Sequence, residues 1–126
     1  VQIIGDADQL TQVFINIIGN AIRYGGSGGR ITLRITTNAR EPALRAAGVR
    51  IQIIDYGAGI DPVHLPRLTE RFYRADDHRS RDLGGTGLGL AIVKHIISRH
   101  RGRLRIESEL GEGATFTVIL PVQENF

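Results

Sequence analysis

Two stretches of the chain repeat their apolar residues at the helical period, and several others alternate or run apolar over strand lengths. In "DADQLTQVFINIIGNAIRYG" (6–25), Leu10, Phe14, Ile17, Ile18 and Ala21 fall on one face at helical spacing, which predicts an amphipathic helix. Asp6 stands where an N-cap belongs and Gly25 where a helix stops. "RITLRITTN" (30–38) has period two, with Ile31, Leu33 and Ile35 on one side, and "VRIQIID" (49–55) repeats the pattern with Val49, Ile51 and Ile53 inward. "YGAGIDP" is a turn cluster, and a short helical stretch is expected near 62–71. "LGLAIVKHIISRH" (88–100) predicts a second strong helix, its stripe drawn through Leu88, Ala91, Ile92, His95 and Ile96. "RLRIESE" and "ATFTVILP" read as strands joined by the turn "LGEG", a hairpin.

The opening "VQIIGD" looks like the middle of a further strand, so the chain is expected to be one domain, 1–126, of a longer protein. These elements assemble into an α+β fold: a two-layer α/β sandwich, with about three helices on one face of a mixed, mainly antiparallel sheet of about five strands. Residues 72–87, "FYRADDHRSRDLGGTG", have no period and are rich in charge and glycine, which marks a functional or mobile loop.

Composition narrows the setting. The 126 residues suit one domain with a real core. Without cysteine there are no disulfides and no thiol-based metal or redox chemistry. No apolar run reaches membrane-spanning length and no signal-peptide pattern opens the chain, so a cytoplasmic location is expected, free or as part of a membrane-anchored protein. The net charge of +3 comes from arginines that are dispersed apart from "RFYRADDHRSR", where acids dilute them, which argues against nucleic acid and for a compact anion.

That anion has a candidate cradle. "GGTGLG" (84–89) puts four glycines in six positions directly ahead of a helix, where bare backbone N–H groups and the helix dipole attract phosphate. It is not a P-loop, because no Gly-Lys pair exists in the chain, and the G-x-G-x-x-G spacing fails from Gly85 and from Gly87 alike. On the first helix, Gln9, Gln12, Asn16, Asn20 and Arg23 form a polar arc. Solvated faces usually carry Lys and Glu, whereas Asn is a poor helix former. Amide oxygens are hard ligands suited to Mg²⁺, which binds through few protein groups plus phosphates. In "DYGAGI", Asp55 ends a buried strand beside two glycines. A carboxylate there accepts a hydrogen bond from an exocyclic amine, which adenine offers. Guanine presents a carbonyl instead, and the mismatch costs on the order of 1–3 kcal/mol.

In order, "NIIGNAIRYG", "DYGAGI", "RFYRADD", "GGTGLGLAIVKHI" and "GEGATFTVILP" resemble the N box, first glycine box, F box, second glycine box and terminal hairpin of the catalytic, ATP-binding domain of bacterial sensor histidine kinases. That domain has the Bergerat fold, shared with gyrase B, MutL and a heat-shock chaperone. The resemblance covers essentially the whole chain. It implies an ATP site in which Asn20 holds Mg²⁺, Asn16 supports it at the phosphates, Arg23 contacts phosphate and Tyr24 packs near base or ribose. Asp55 would bind the adenine amine, with Gly57 and Gly59 giving clearance. Residues 72–87 would form a mobile lid, with Arg81 reaching the terminal phosphate and Arg79 second to it. Gly85, Thr86, Gly87, Leu88 and Gly89 would bring main chain to the phosphates. Tyr56 and Thr69 depart from the family pattern, at the adenine end and at the lid anchor.

The implied activity is transfer of the γ-phosphoryl group of ATP to a histidine on a separate dimerisation and phosphoacceptor domain, with a response regulator as downstream partner. The four histidines here precede Leu65, Arg79, Ile96 and Arg101, so none has the acidic follower of an acceptor. His95 reads as a packed core histidine, and His64, His78 and His100 as surface residues. Two other functions suit the fold. A clamp ATPase would need a glutamate on the first helix, which has none. A degenerate interaction module would have lost nucleotide.

Overall fold

The computed structural model describes residues 2–25, 28–70 and 89–122. Helix α1 spans Ala7–Gly25. Its first turn is capped as the sequence suggests, with the Gln9 N–H donating to Asp6 Oδ1 at 2.9 Å. Val13, Ile17 and Ala21 are fully buried along it, with Leu10, Phe14 and Ile18 packed at the margin.

Strands β1 (Ile31–Glu41) and β2 (Ala46–Asp55) form a hairpin whose register shifts between Asn38 and Glu41. After a 3-10 turn at Leu65–Arg67, helix α2 runs Gly89–Arg99 into strands β3 (Arg103–Glu109) and β4 (Gly113–Pro121). The sheet order is β1-β2-β4-β3, and every described pairing is antiparallel. Both helices lie on one face, over a core of Ile53, Phe116, Val118 and Leu120 from the sheet and Val93, Ile96 and Ile97 from α2. This is the expected α+β sandwich, with four strands and two helices among the described residues.

Four local expectations change. Residues 2–5 take no strand partner; the chain turns instead at Asp6, whose N–H donates to His100 Nε2 at 3.0 Å. The stretch near 62–71 tightens to a single 3-10 turn over its described residues, because Pro66 lacks the N–H that a helix begun at Pro62 would bond to the Pro62 carbonyl. The buried stripe of α2 is Val93, Ile96 and Ile97, which leaves Ile92 and His95 exposed. The imidazole of His95 thereby keeps its water, so it is not a core histidine. His100, read as a surface residue, is half-buried between Asp6 and Ile96, with Nδ1 placed 2.8 Å from the Ile96 carbonyl. Donation by Asp6 makes Nε2 the acceptor and Nδ1 the donor in this arrangement.

Strand β1 alternates as expected, yet its apolar row is uncovered: Leu33 and Ile35 are 55% and 67% exposed. They pair with Ile53 and Ile51 and share their side of the sheet.

Candidate functional site

The site is built where β2 ends. Asp55 is only 5% exposed, and no cation stands against it among the described ion pairs. Its Oδ1 accepts two backbone hydrogen bonds, from the Gly57 N–H at 3.1 Å and the Ala114 N–H at 3.2 Å. Its Oδ2 accepts none among the described residues and is not sealed from solvent. Two N–H groups on one oxygen aim the carboxylate and leave the other oxygen as a fixed, unused acceptor.

The turn after Asp55 is gripped by the β3–β4 hairpin. The Gly111 N–H donates to the Ala58 carbonyl at 2.7 Å, and the Ile60 N–H donates to Ser108 Oγ at 2.7 Å. Ser108 Oγ in turn donates to the Gly113 carbonyl at 2.8 Å. Gly59 has φ +78°, and a Cβ there would lie 2.2 Å from the Glu109 carbonyl oxygen. Glycine at this position lets turn and hairpin touch. Its clearance therefore serves the hairpin directly, while Gly57 contributes an N–H to the carboxylate.

Helix α1 carries the other candidate residues, and β1, the element after it, begins opposite Asp55. Asn16 is half-buried; its Nδ2 donates to the Gln12 carbonyl at 2.9 Å, which leaves Oδ1 available. That oxygen faces the start of α2, 3.1 Å from where a Cβ on Gly89 would stand. Asn20 is half-buried and its amide makes no hydrogen bond among the described residues. Arg23 lies exposed in the last turn of α1. Gly85, Thr86, Gly87, Leu88, Arg79, Arg81 and the side chain of Tyr24 lie outside the described residues.

Of the residues read from the sequence, the structure thus brings Asn16 against Gly89, and joins Asp55 to Gly57 in one turn. It adds Ala114 and Ser108, which the sequence reading did not single out. No residue-type signal marks Ala114, because it acts through a backbone N–H that every residue but proline carries. Tyr56 alternates with Asp55 onto the opposite face of the sheet, where its hydroxyl sits 2.9 Å from Thr32 Oγ1. Thr69, the second departure, is half-buried beside Leu65 in a groove of about 290 Å³ against α2 and β3.

Residues 5–124 match the family described as histidine kinase-, DNA gyrase B-, and HSP90-like ATPase. The chain belongs to this family. Over 93% of its length it is 47% identical to the phosphate regulon sensor protein PhoR of Pseudomonas aeruginosa, of which it spans 25%. It is 43% identical to the sensor histidine kinase WalK of Bacillus subtilis over 94% of the chain and 19% of that relative. Among solved structures, the mycobacterial sensor histidine kinase MprB superposes with a TM-score of 0.80 at 31% identity, covering 98% of this chain and 78% of that one. Full-length ShkA in complex with AMPPNP superposes at 0.69 with 29% identity, covering 93% of this chain and 22% of that one. The chain therefore spans about a quarter or less of the curated relatives it matches. The match runs from Gly5 to Glu124, across every described element.

Proposed function

We propose that this chain is one catalytic domain that binds Mg-ATP and donates the γ-phosphoryl group to a histidine on a separate dimerisation domain of a sensor histidine kinase. The observation that carries the reading is Asp55: a buried carboxylate with one oxygen held by two N–H groups and the other left as an acceptor. Oδ2 would accept from the exocyclic amine of adenine, and Asn16, Asn20 and Arg23 on α1 would face the phosphates. The sensor-kinase names of the relatives favour this reading over a clamp ATPase, as does the absence of glutamate from α1.

The donor set fits Mg²⁺ shared with a nucleotide. Among the described residues no group of three or more His, Cys, Asp or Glu could cage a metal. The amide oxygens of Asn16 and Asn20, which accept no hydrogen bond among the described residues, are neutral, hard donors of the kind Mg²⁺ takes alongside waters and phosphate oxygens. When bound, the ion would neutralise charge on the β- and γ-phosphates. This chain's residues would position ATP and stabilise charge, while the attacking imidazole and the base that takes its proton come from the partner domain. In that transfer the bond from the γ-phosphorus to the bridging oxygen breaks, a nitrogen–phosphorus bond forms, and ADP leaves. A response regulator would then take the phosphoryl group from the full-length protein.

Calorimetric titration with ATP, with and without Mg²⁺, tests the reading. Wild type is expected to bind, with Mg²⁺ tightening the complex, and Asn20→Ala is expected to lose the Mg²⁺ effect. Incubation with labelled ATP is expected to leave the isolated chain unlabelled. A folded wild type that does not bind ATP would shift the reading to a non-catalytic interaction module.

A further inference from the structure

Residues 28–32, which lead into and open β1, grip the residue after Asp55 by three separate contacts. A Cβ on Gly28 would lie 2.3 Å from both the carbonyl carbon and oxygen of Tyr56, so that stretch of main chain runs directly against the Tyr56 backbone. The Arg30 guanidinium lies over the Tyr56 ring, 4.3 Å from its centroid, within cation–π range. Thr32 Oγ1 and the Tyr56 hydroxyl are 2.9 Å apart, a hydrogen bond formed one position before the Asp55–Ile31 end of the ladder. Three alternate residues of one segment thus hold a single residue of the turn. On its other side the same turn is held by the hairpin through Ala114, Gly111 and Ser108.

The first gripping residue, Gly28, follows the end of α1 at Gly25 closely in the chain, a few residues beyond Asn20 and Arg23. What it grips is chemically bonded to Asp55. We infer that Tyr56, with Arg30 and Thr32, is a positioning latch that sets the separation between the α1 groups and the Asp55 carboxylate. The inference rests on the nucleotide reading above and adds to it which side chain makes the two halves of the site act on one ligand. A ligand spanning both halves depends on that separation, because any freedom between them must be removed on binding. A ligand that uses only the Asp55 half does not depend on it.

The latch is tested by measuring ATP and adenosine binding to the 126-residue chain in wild type, Tyr56→Phe, Tyr56→Leu and Arg30→Gln. Tyr56→Phe keeps the ring and its stacking and loses only the hydroxyl, so it guards against a variant that fails to fold. ATP binding is expected to weaken about threefold in Tyr56→Phe and Arg30→Gln and about tenfold in Tyr56→Leu, with adenosine unchanged throughout. A purely structural role would lower the melting temperature and weaken both ligands by the same factor, and that result overturns the latch. Unchanged ATP binding in folded Tyr56→Leu overturns it as well. Wild type that binds neither ligand removes the nucleotide reading itself, and is told apart from the other failures by the wild-type titration alone.

Discussion

Two carboxylates are buried in the described residues, Glu41 at 2% exposure and Asp55 at 5%, and they stand at opposite ends of the β1–β2 hairpin. Glu41 sits in the irregular end of the ladder, and its Oε1 takes a hydrogen-bonded ion pair from Arg50 Nη2. Its charge is answered within the fold. Among the described residues Asp55 has no such cation, only two N–H groups on one oxygen. Burial of a charge is costly unless it is paired and hydrogen-bonded, so a carboxylate held only by amides, with an acceptor to spare, suits a ligand that completes it. Equal burial thus separates a structural acid from a binding one only when the partners are counted.

Breaking the pair at Glu41 should have the largest effect. Arg50→Leu strands a nearly sealed carboxylate and is expected to cost about 3 kcal/mol of stability, read as a lower denaturation midpoint, with ATP affinity unchanged. The converse pattern is expected of Asp55→Asn. Its oxygen can still take both N–H groups, but its amide nitrogen now donates where Oδ2 accepted. ATP binding should weaken by about 2 kcal/mol, roughly thirtyfold, with little loss of stability. Binding of a guanine nucleotide should improve relative to ATP, since guanine presents an acceptor at that position. Equal loss of stability in both variants would erase the distinction between the two acids. Glu41→Gln should be milder than Arg50→Leu, about 1 kcal/mol. The Arg50 side chain it unpairs is 30% exposed and regains water, and an amide oxygen can still receive it.

Asp55 stood out in the sequence only through its place among the ordered glycine boxes, because a carboxylate closing a strand before glycines suits an Asx turn equally well, and the Gly57 N–H on Oδ1 is such a bond. Glu41 did not, because the register shift between Asn38 and Glu41, and with it the side chain's place beside Gly48 and Arg50, is a property of pairing, invisible in one strand. The same limit explains α2. Its sequence offers two apolar stripes that share Ile96, one through Ala91, Ile92 and His95, the other through Val93 and Ile97. Only the sheet beneath decides between them. In α1 a single face dominates, so Ile17 and Ala21 were readable as core. For β1 the period predicted the strand and which residues share a side, but not that α1 would leave Leu33 and Ile35 uncovered. Tertiary coverage is not written in alternation.

A third carboxylate supplies the unburied limit of the comparison. Glu112, in the hairpin that grips the Asp55 turn, is exposed, and the hydrogen bond that its protonated carboxyl donates to Glu109, together with the Glu109 charge, raises its pKa from the ordinary 4.5. Because the folded-state pKa is the higher one, protonation favours the fold. That contribution is complete below about pH 4.5 and fades as pH rises through the shifted value. Glu112→Gln is therefore expected to match wild type in thermal melts near pH 4 and to melt slightly higher at pH 7, where the wild-type pair repels. Water screens both groups, so the shift should be the smallest of the four. If Glu112→Gln moved the melting temperature as far as Arg50→Leu does, burial would not be what separates these acids, and the contrast between Glu41 and Asp55 would need another cause.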